Sequence, residues 1–267
     1  MSAGKPSSTI IKPMNLTQIQ QLLSATPTRY ALFYQPSNAE PCFLHNRLLF
    51  KSASLIKVPI LLSWLALEKE GAVSRLELCD LDSEKQVAGA GFSTLMTTRK
   101  LYYADVLLMM IATSDNLCTN LVIDRIGLER LNRVFVDGLG LTQTTCQRKL
   151  MDYEARSRGM DNWIHAGECV HLYDLIDALS AADRAWVESL LQSNVDAALL
   201  MRNIPRDTVD FFHKTGSMEG VLHDWGYTRD CRLFLLTNEV AEEPPIFDVF
   251  GALGEYMLPP INPVNLP

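Results

Sequence analysis

At 267 residues, 48% hydrophobic and 21% charged, the chain has an ordinary globular balance, with room for one large domain or two lobes. Its net charge of −7 argues against nucleic acid as the main partner, because phosphate binding needs a basic face and no long Lys/Arg cluster supplies one. The longest apolar runs, around Val58–Leu67 and Val106–Ala112, are too short to span a bilayer, so no membrane partner is expected.

The six cysteines, Cys42, Cys79, Cys118, Cys146, Cys169 and Cys231, form no Cys-x-x-Cys pair, and no His lies at ligand spacing from two of them. They read as free thiols of a reduced, cytoplasmic protein, with no metal and no cofactor expected. The opening "MSAGKPSSTIIKPMN" lacks the apolar stretch of a secretory signal. A periplasmic or secreted location follows only if an export segment has been removed.

In chain order, "NLTQIQQLLSATPT" spaces its apolar residues as a helix, with Asn15 as cap and Pro27 beyond its end. "RYALFYQP" and "PCFLHNRLLF", separated by "SNAE", suit a β-hairpin. From Ser54 the pattern turns helical for well over a hundred residues. Helices are expected near 54–70, 104–113, 116–126, 128–137, 168–179 and 183–193, with Gly71, Gly127 and Gly138 at C-terminal cap positions. Strand signals return at "TVDFFHKTG", "VLHDWGYTR" and "RLFLLTNEV", an antiparallel meander, and "IFDVFGALGEYM" closes the chain as a helix. The expectation is an α+β fold in one domain of two lobes, its antiparallel sheet built from both termini. Residues 10–48 and 200–267 would form the sheet lobe and 49–199 the helical lobe, with a ligand cleft between them.

The stretch "FKSASLIKVPILL" sets Ser54 and Lys57 at a helix start, one turn apart on one face. A lysine beside a run that must be buried is costly unless it is paired or neutral. If burial and a second cation lower its pKa, it can be neutral and take the proton of the serine. Pro59 removes an early helical hydrogen bond, to the carbonyl of Leu55, which would tighten or kink the first turn. A Ser-x-x-Lys also occurs at Ser2–Lys5, without such a setting, so the pattern alone carries little.

Two further elements give it weight. "MMIATSDNLCTNLV" places Ser114, Asp115 and Asn116 in a break between helices, where alone they read as a helix cap. "FFHKTGSMEG" places Lys214, Thr215, Gly216 and Ser217 at the end of a strand, where alone they read as a turn. Together, in this order, the three resemble the motif set of class A β-lactamases and penicillin-binding proteins, over Phe50 to about Gly226. The resemblance implies a β-lactamase/transpeptidase-like fold and a serine hydrolase that forms an acyl-enzyme with a small-molecule lactam, amide or ester. It implies Ser54 as nucleophile, Lys57 as its base and Ser114 as proton relay to the leaving group. Asn116 would hold Lys57 and a substrate amide, Lys214 and Thr215 a substrate carboxylate, and the N–H groups of Ser54 and Ser217 the oxyanion. Gly216 would let the strand approach the substrate.

The glutamate that class A enzymes use for deacylation is missing. The family interval from Ser114 reaches about Leu150, inside "CQRKLMDYEARSRGMDN", where Asp152 and Glu154 are the nearest carboxylates and Arg148 could anchor the loop by an ion pair. Glu154 is the candidate deacylation base if the loop is shaped differently. Otherwise acylation is complete in its residues and deacylation is slow. The competing readings are a D,D-peptidase-like penicillin-binding protein, a non-catalytic covalent β-lactam sensor, and a pseudoenzyme. His213 and His223, beside the Lys-Thr-Gly strand, and Trp163 and Trp225 are expected to be structural.

Overall fold

A computed structural model describes residues 15–25, 28–205 and 207–258. The Ser2–Lys5 pair and Pro27 lie outside these. Helix α1 (Leu16–Ser24) starts where Asn15 accepts a hydrogen bond from the Gln18 N–H at 3.1 Å, which satisfies one orphan donor of its first turn. Strands β1 (Arg29–Pro36) and β2 (Cys42–Leu44) form the expected hairpin, with Leu32 opposite Leu44. The second β-prone run then divides. Strand β3 (Leu49–Lys51) leaves the hairpin and enters a 3₁₀ turn over Ala53–Ile56 that leads into α2 (Lys57–Lys69).

Helix α2 is buried on nearly every side, from Lys57 through Leu65, as befits a central helix whose apolar residues show no polar face. The expected helical stretch is interrupted twice. Strands β4 (Leu78–Asp80) and β5 (Lys100–Tyr102) make a small sheet around a loop, and β6 (Trp163–His165) pairs back with β3. Between them lie α3 (Tyr103–Ala112), α4 (Asn116–Ile126), α5 (Leu128–Arg133) and the short α6 (Tyr153–Ser157). Gly127, at φ +86°, ends α4 and starts α5. Helix α5 runs into a π turn over Val134–Gly138, so the left-handed residue that follows is Gly140 rather than the expected Gly138.

After α7 (Ala166–Asp177) and α8 (Ala181–Gln192) come β7 (Phe212–Met218), β8 (Val221–Tyr227) and β9 (Cys231–Asn238), and then α9 (Glu243–Gly254). The main sheet is antiparallel, in the order β2-β1-β9-β8-β7, so the two ends of the chain meet at β1 and β9. Alternation along β1 and β9 divides the core. Ala31, Phe33, Phe234 and Leu236 face α2 and α7, while Leu32, Tyr34, Leu233 and Leu235 face α1 and α9. Trp225 is fully buried in the first core, stacked on Tyr173 at 4.5 Å, and its indole N–H donates to the Cys169 carbonyl. Losing an aromatic from such a place typically costs about 3–5 kcal/mol. The six cysteines are free thiols, five of them buried. Among the described residues no helix is long and apolar enough to cross a membrane. Strand β7 is an edge strand, and the space beside it is the cleft.

Candidate active site

Ser54 lies in the 3₁₀ turn ahead of α2, and Pro59 follows five residues later. In a 3₁₀ turn residues three apart eclipse one another. That brings the Lys57 Nζ to 3.0 Å from the Ser54 Oγ. The turn is clamped from three directions. The Ser52 N–H donates to the Asn162 carbonyl at 2.8 Å, just ahead of β6. The His223 Nε2 on β8 bonds the Lys51 carbonyl at 2.7 Å. Gly216 on β7 lies against the turn itself, where a Cβ would come within 2.9 Å of the Leu55 nitrogen and 3.1 Å of the Ser54 nitrogen. The missing side chain of Gly216 thus lets β7 approach the Ser54 turn closely.

Ser114 sits between α3 and α4 in a left-handed conformation, φ +56°. Its carbonyl and its Oγ both reach the Lys57 Nζ, at 2.6 and 3.1 Å. Asn116 adds its Oδ1 at 3.0 Å and donates from Nδ2 to the Ala88 carbonyl. Asp115, between them, points the other way. It caps α4 through the Cys118 N–H and holds the loop between β4 and β5 through Phe92 N–H, Ser93 N–H and Ser93 Oγ.

Lys57 is fully buried. Burial first, then the neighbouring Lys214 charge, pushes its pKa well below the usual lysine value, with Asp115 acting the other way. A neutral amine has two N–H donors and one lone pair. The Ser114 carbonyl and the Asn116 Oδ1 can only accept, so they take both donors. The lone pair is left for a hydroxyl. That arrangement can accept the proton of Ser54. Lys214 is also fully buried, donates to the Thr215 carbonyl at 2.9 Å, and is pushed by burial to a pKa of about 8. Asp196 and Asp224 act against that shift.

A cleft of about 490 Å³ opens on Ser54, with Ser114, Asn116, Thr215 and Ser217 on its wall. Ser217 is exposed and Thr215 buried. The loop after α5, with the short α6 within it, supplies Arg148, Leu150, Met151, Tyr153, Arg156 and Asp161. Its neck is closed by a buried ion pair: both the Arg148 Nε and Nη2 donate to Asp161 Oδ1, at 3.1 and 2.7 Å. Asn162 adds bonds to Gln147 and Arg148, and Asn120 holds the Leu150 backbone at both its N–H and its carbonyl.

Glu154 is not brought to the serine. It is on the outer side of α6, its side chain 81% exposed and paired with Arg158 at 2.8 Å. An exposed i,i+4 pair of this kind is a solvated surface feature. Asp152 caps α6 through the Ala155 N–H. Sequence reasoning placed Arg148 correctly at the loop but did not find Asp161, Met151 or Asp196. The "GAG" at Gly89–Gly91 was a usable signal that a backbone passes close by: a Cβ on Gly91 would overlap Asp115. His213 and His223 do not reach the cleft. His223 is buried, with its pKa lowered to about 4 by desolvation, so it clamps as a neutral ring. His213 Nδ1 pairs with Asp224 at 2.9 Å. Among the described residues no cluster of His, Cys, Asp or Glu could hold a metal ion.

The sheet order, the central helix and the cleft between them define the α+β fold of class A β-lactamases and penicillin-binding proteins. A model of the beta-lactamase enzyme family matches residues 16–251, and the chain belongs to that family. Among solved structures, the beta-lactamase from Sphaerobacter thermophilus DSM 20745 is similar, with a TM-score of 0.80 and 19% identity over 91% of this chain and 96% of that one. PBP-A is similar with a TM-score of 0.79 and 23% identity, over 92% and 97%. A leucine-to-glutamate mutant of PBP-A, in an acyl-enzyme complex with penicillin G, gives 0.78 and 23%, over 90% and 93%. A search of curated proteins finds no match.

Proposed function

We propose that the protein is a serine acyl-hydrolase in which Ser54 attacks a lactam, amide or ester carbonyl and deacylation is slow. The observation that carries this is the saturation of Lys57's donors by two acceptor-only oxygens, with the Ser54 hydroxyl at 3.0 Å. Lys57 takes the proton as the Oγ–C bond forms, and Ser114 passes it to the leaving atom. The backbone N–H groups of Ser54 and Ser217 receive the oxyanion. Asn116 spends one Nδ2–H on Ala88 and offers the other to a substrate carbonyl, and Thr215 faces the substrate from β7. Lys214 keeps Lys57 neutral by its charge.

Slow release rests on the loop. Leu150 and Met151 border the cleft where a water-activating carboxylate would be needed, and Glu154 is turned outward. Lacking a general base costs such a step roughly 100- to 10,000-fold. A D,D-peptidase-like or sensor role therefore stands as the second reading, favoured by the same absence. The test is intact mass after exposure to a penicillin. A stable adduct on Ser54, absent in Ser54→Ala, is expected, and hydrolysis of a chromogenic cephalosporin should show one burst and then a slow phase. No adduct would end the proposal, and sustained rapid turnover would end its second half.

A further inference from the structure

The loop from Arg148 to Asp161 brings two guanidinium groups and one carboxylate to the cleft. The carboxylate is taken: Asp161 Oδ1 accepts from Arg148 Nε, from Arg148 Nη2 and from the Asn162 N–H. Arg156 is left over. Its one ion contact runs from Nε to Asp161 Oδ2 at 3.9 Å, and among the described residues its side chain makes no hydrogen bond. Arg158, at the end of α6, is instead bonded to Glu154 at 2.8 Å on the outer side. Arg156 thus adds little to the fold, yet it lines the cleft with a third of its side chain exposed.

Its neighbours fix which part of a substrate it would meet. Tyr153 stands three residues before it, on the same face of α6, and also lines the cleft. The Tyr153 hydroxyl reaches the Met151 Sδ at 3.8 Å, and Met151 in turn gathers with the Asn116 Nδ2 around Gly89. In the proposed acylation Ser114 serves the leaving atom, and Asn116 offers its spare Nδ2–H to a carbonyl of the acyl part. Arg156 therefore belongs to the acyl end, the part of the substrate that stays on Ser54.

The other charges of the cleft are placed elsewhere. Asp196 follows Val195, whose N–H donates to the Ala112 carbonyl at the end of α3, and it acts on Lys214. Glu219 is exposed in the turn between β7 and β8 and forms no ion pair among the described residues. Lys57 and Lys214 are fully buried at the reacting centre. No carboxylate but the one already bonded to Arg148 is in contact with Arg156.

We infer that Arg156 selects substrates whose acyl group carries a carboxylate, seated on its guanidinium, with Tyr153 and Met151 against the apolar part. The inference deepens the proposed function and rests on it. The Ser54 Oγ bonds the carbonyl carbon, the bond from that carbon to the leaving N or O breaks, and the serine proton ends on the leaving atom. The added carboxylate takes no part in that exchange. A guanidinium favours it by charge and by paired N–H donors, and partial exposure to water keeps the gain modest.

The test uses three penicillins that differ only at the carbon beside the side-chain carbonyl: α-carboxybenzyl-, benzyl- and α-aminobenzylpenicillin. Intact-mass time courses give the rate of Ser54 acylation by each. Rates relative to benzylpenicillin are compared between the native protein and Arg156→Gln, which cancels the differing reactivity of the lactams. The native protein should favour the carboxylate by ~2- to 5-fold more than the variant does, and disfavour the ammonium by a similar factor. The difference should shrink as salt is added, and Arg156→Lys should keep part of it. Relative rates that are the same in both proteins, or a carboxylate favoured more by Arg156→Gln, would overturn the inference while leaving Ser54 as nucleophile. If none of the three acylates Ser54, the hydrolase falls, and their binding to Ser54→Ala decides the rest. A ranking there that Arg156→Gln abolishes would keep the anion seat, and no such ranking would remove it.

Discussion

The turn at Ser54 and the loop from Arg148 to Asp161 are both pinned, but to different effect. The turn is held from β6, β7 and β8, and every one of those contacts leaves the serine hydroxyl beside an amine whose donors are spent. The loop is held at its neck by a buried ion pair and at Leu150 by Asn120; it brings Leu150, Met151 and Tyr153 to the cleft, and the one carboxylate it adds to the lining, Asp161, is bonded to Arg148. Rigidity alone does not make a catalytic element. On the proposed function, the first region would supply the acids and bases for making an acyl-enzyme, and the second would lack a free base for clearing it.

That contrast can be broken at four places. The largest effect is expected from Lys57→Met, which removes the base and should slow acylation by penicillin ~100- to 10,000-fold in a stopped-flow or mass-spectrometric time course. Arg148→Met leaves Asp161 buried without its main partner. Breaking such a pair costs about 3–5 kcal/mol, and Arg156 at 3.9 Å should hold the loss near the lower end. Urea titration would read this as a lowered midpoint. Leu150→Glu should place a carboxylate in the wall and speed loss of the adduct by roughly tenfold or more, with acylation little changed. An unaltered adduct lifetime would show that the wall is not where the water is activated.

The smallest effect is a displacement along the pH axis. Lys57 acts when neutral, so acylation rises as pH passes upward through its pKa. Burial and then Lys214 hold that pKa down. Lys214→Met removes the second cause, so the pKa should rise and the ascending limb of acylation should move to higher pH. A limb that stays in place would mean that burial alone sets the base.

How much of this was legible beforehand depended on the distance over which each feature is decided. Helix α4 runs over 116–126 as expected, because Asp115 and Gly127 mark its ends within the segment itself. The tightened turn at Ser54 could be anticipated from Pro59. Strand β6 and its pairing with β3 could not, since three-residue strands paired across more than a hundred positions leave no local periodicity. Ser54, Lys57, Ser114 and Asn116 were visible as motifs, and the structure brings their side chains together at Lys57. Asp196 was not visible, because it acts on Lys214 from a separate segment that no pattern links to that strand. Glu154 was misplaced for a similar reason: nothing local tells which side of a five-residue helix faces a cleft.

The left-handed backbone at Ser114 carries a consequence for how the protein could change over time. Glycine would adopt φ +56° without the steric penalty of roughly 1–2 kcal/mol that a side chain bears there, and would still turn its carbonyl onto Lys57. Serine bears that penalty and in return sets a hydroxyl 3.1 Å from the Lys57 Nζ, a contact that glycine would lose.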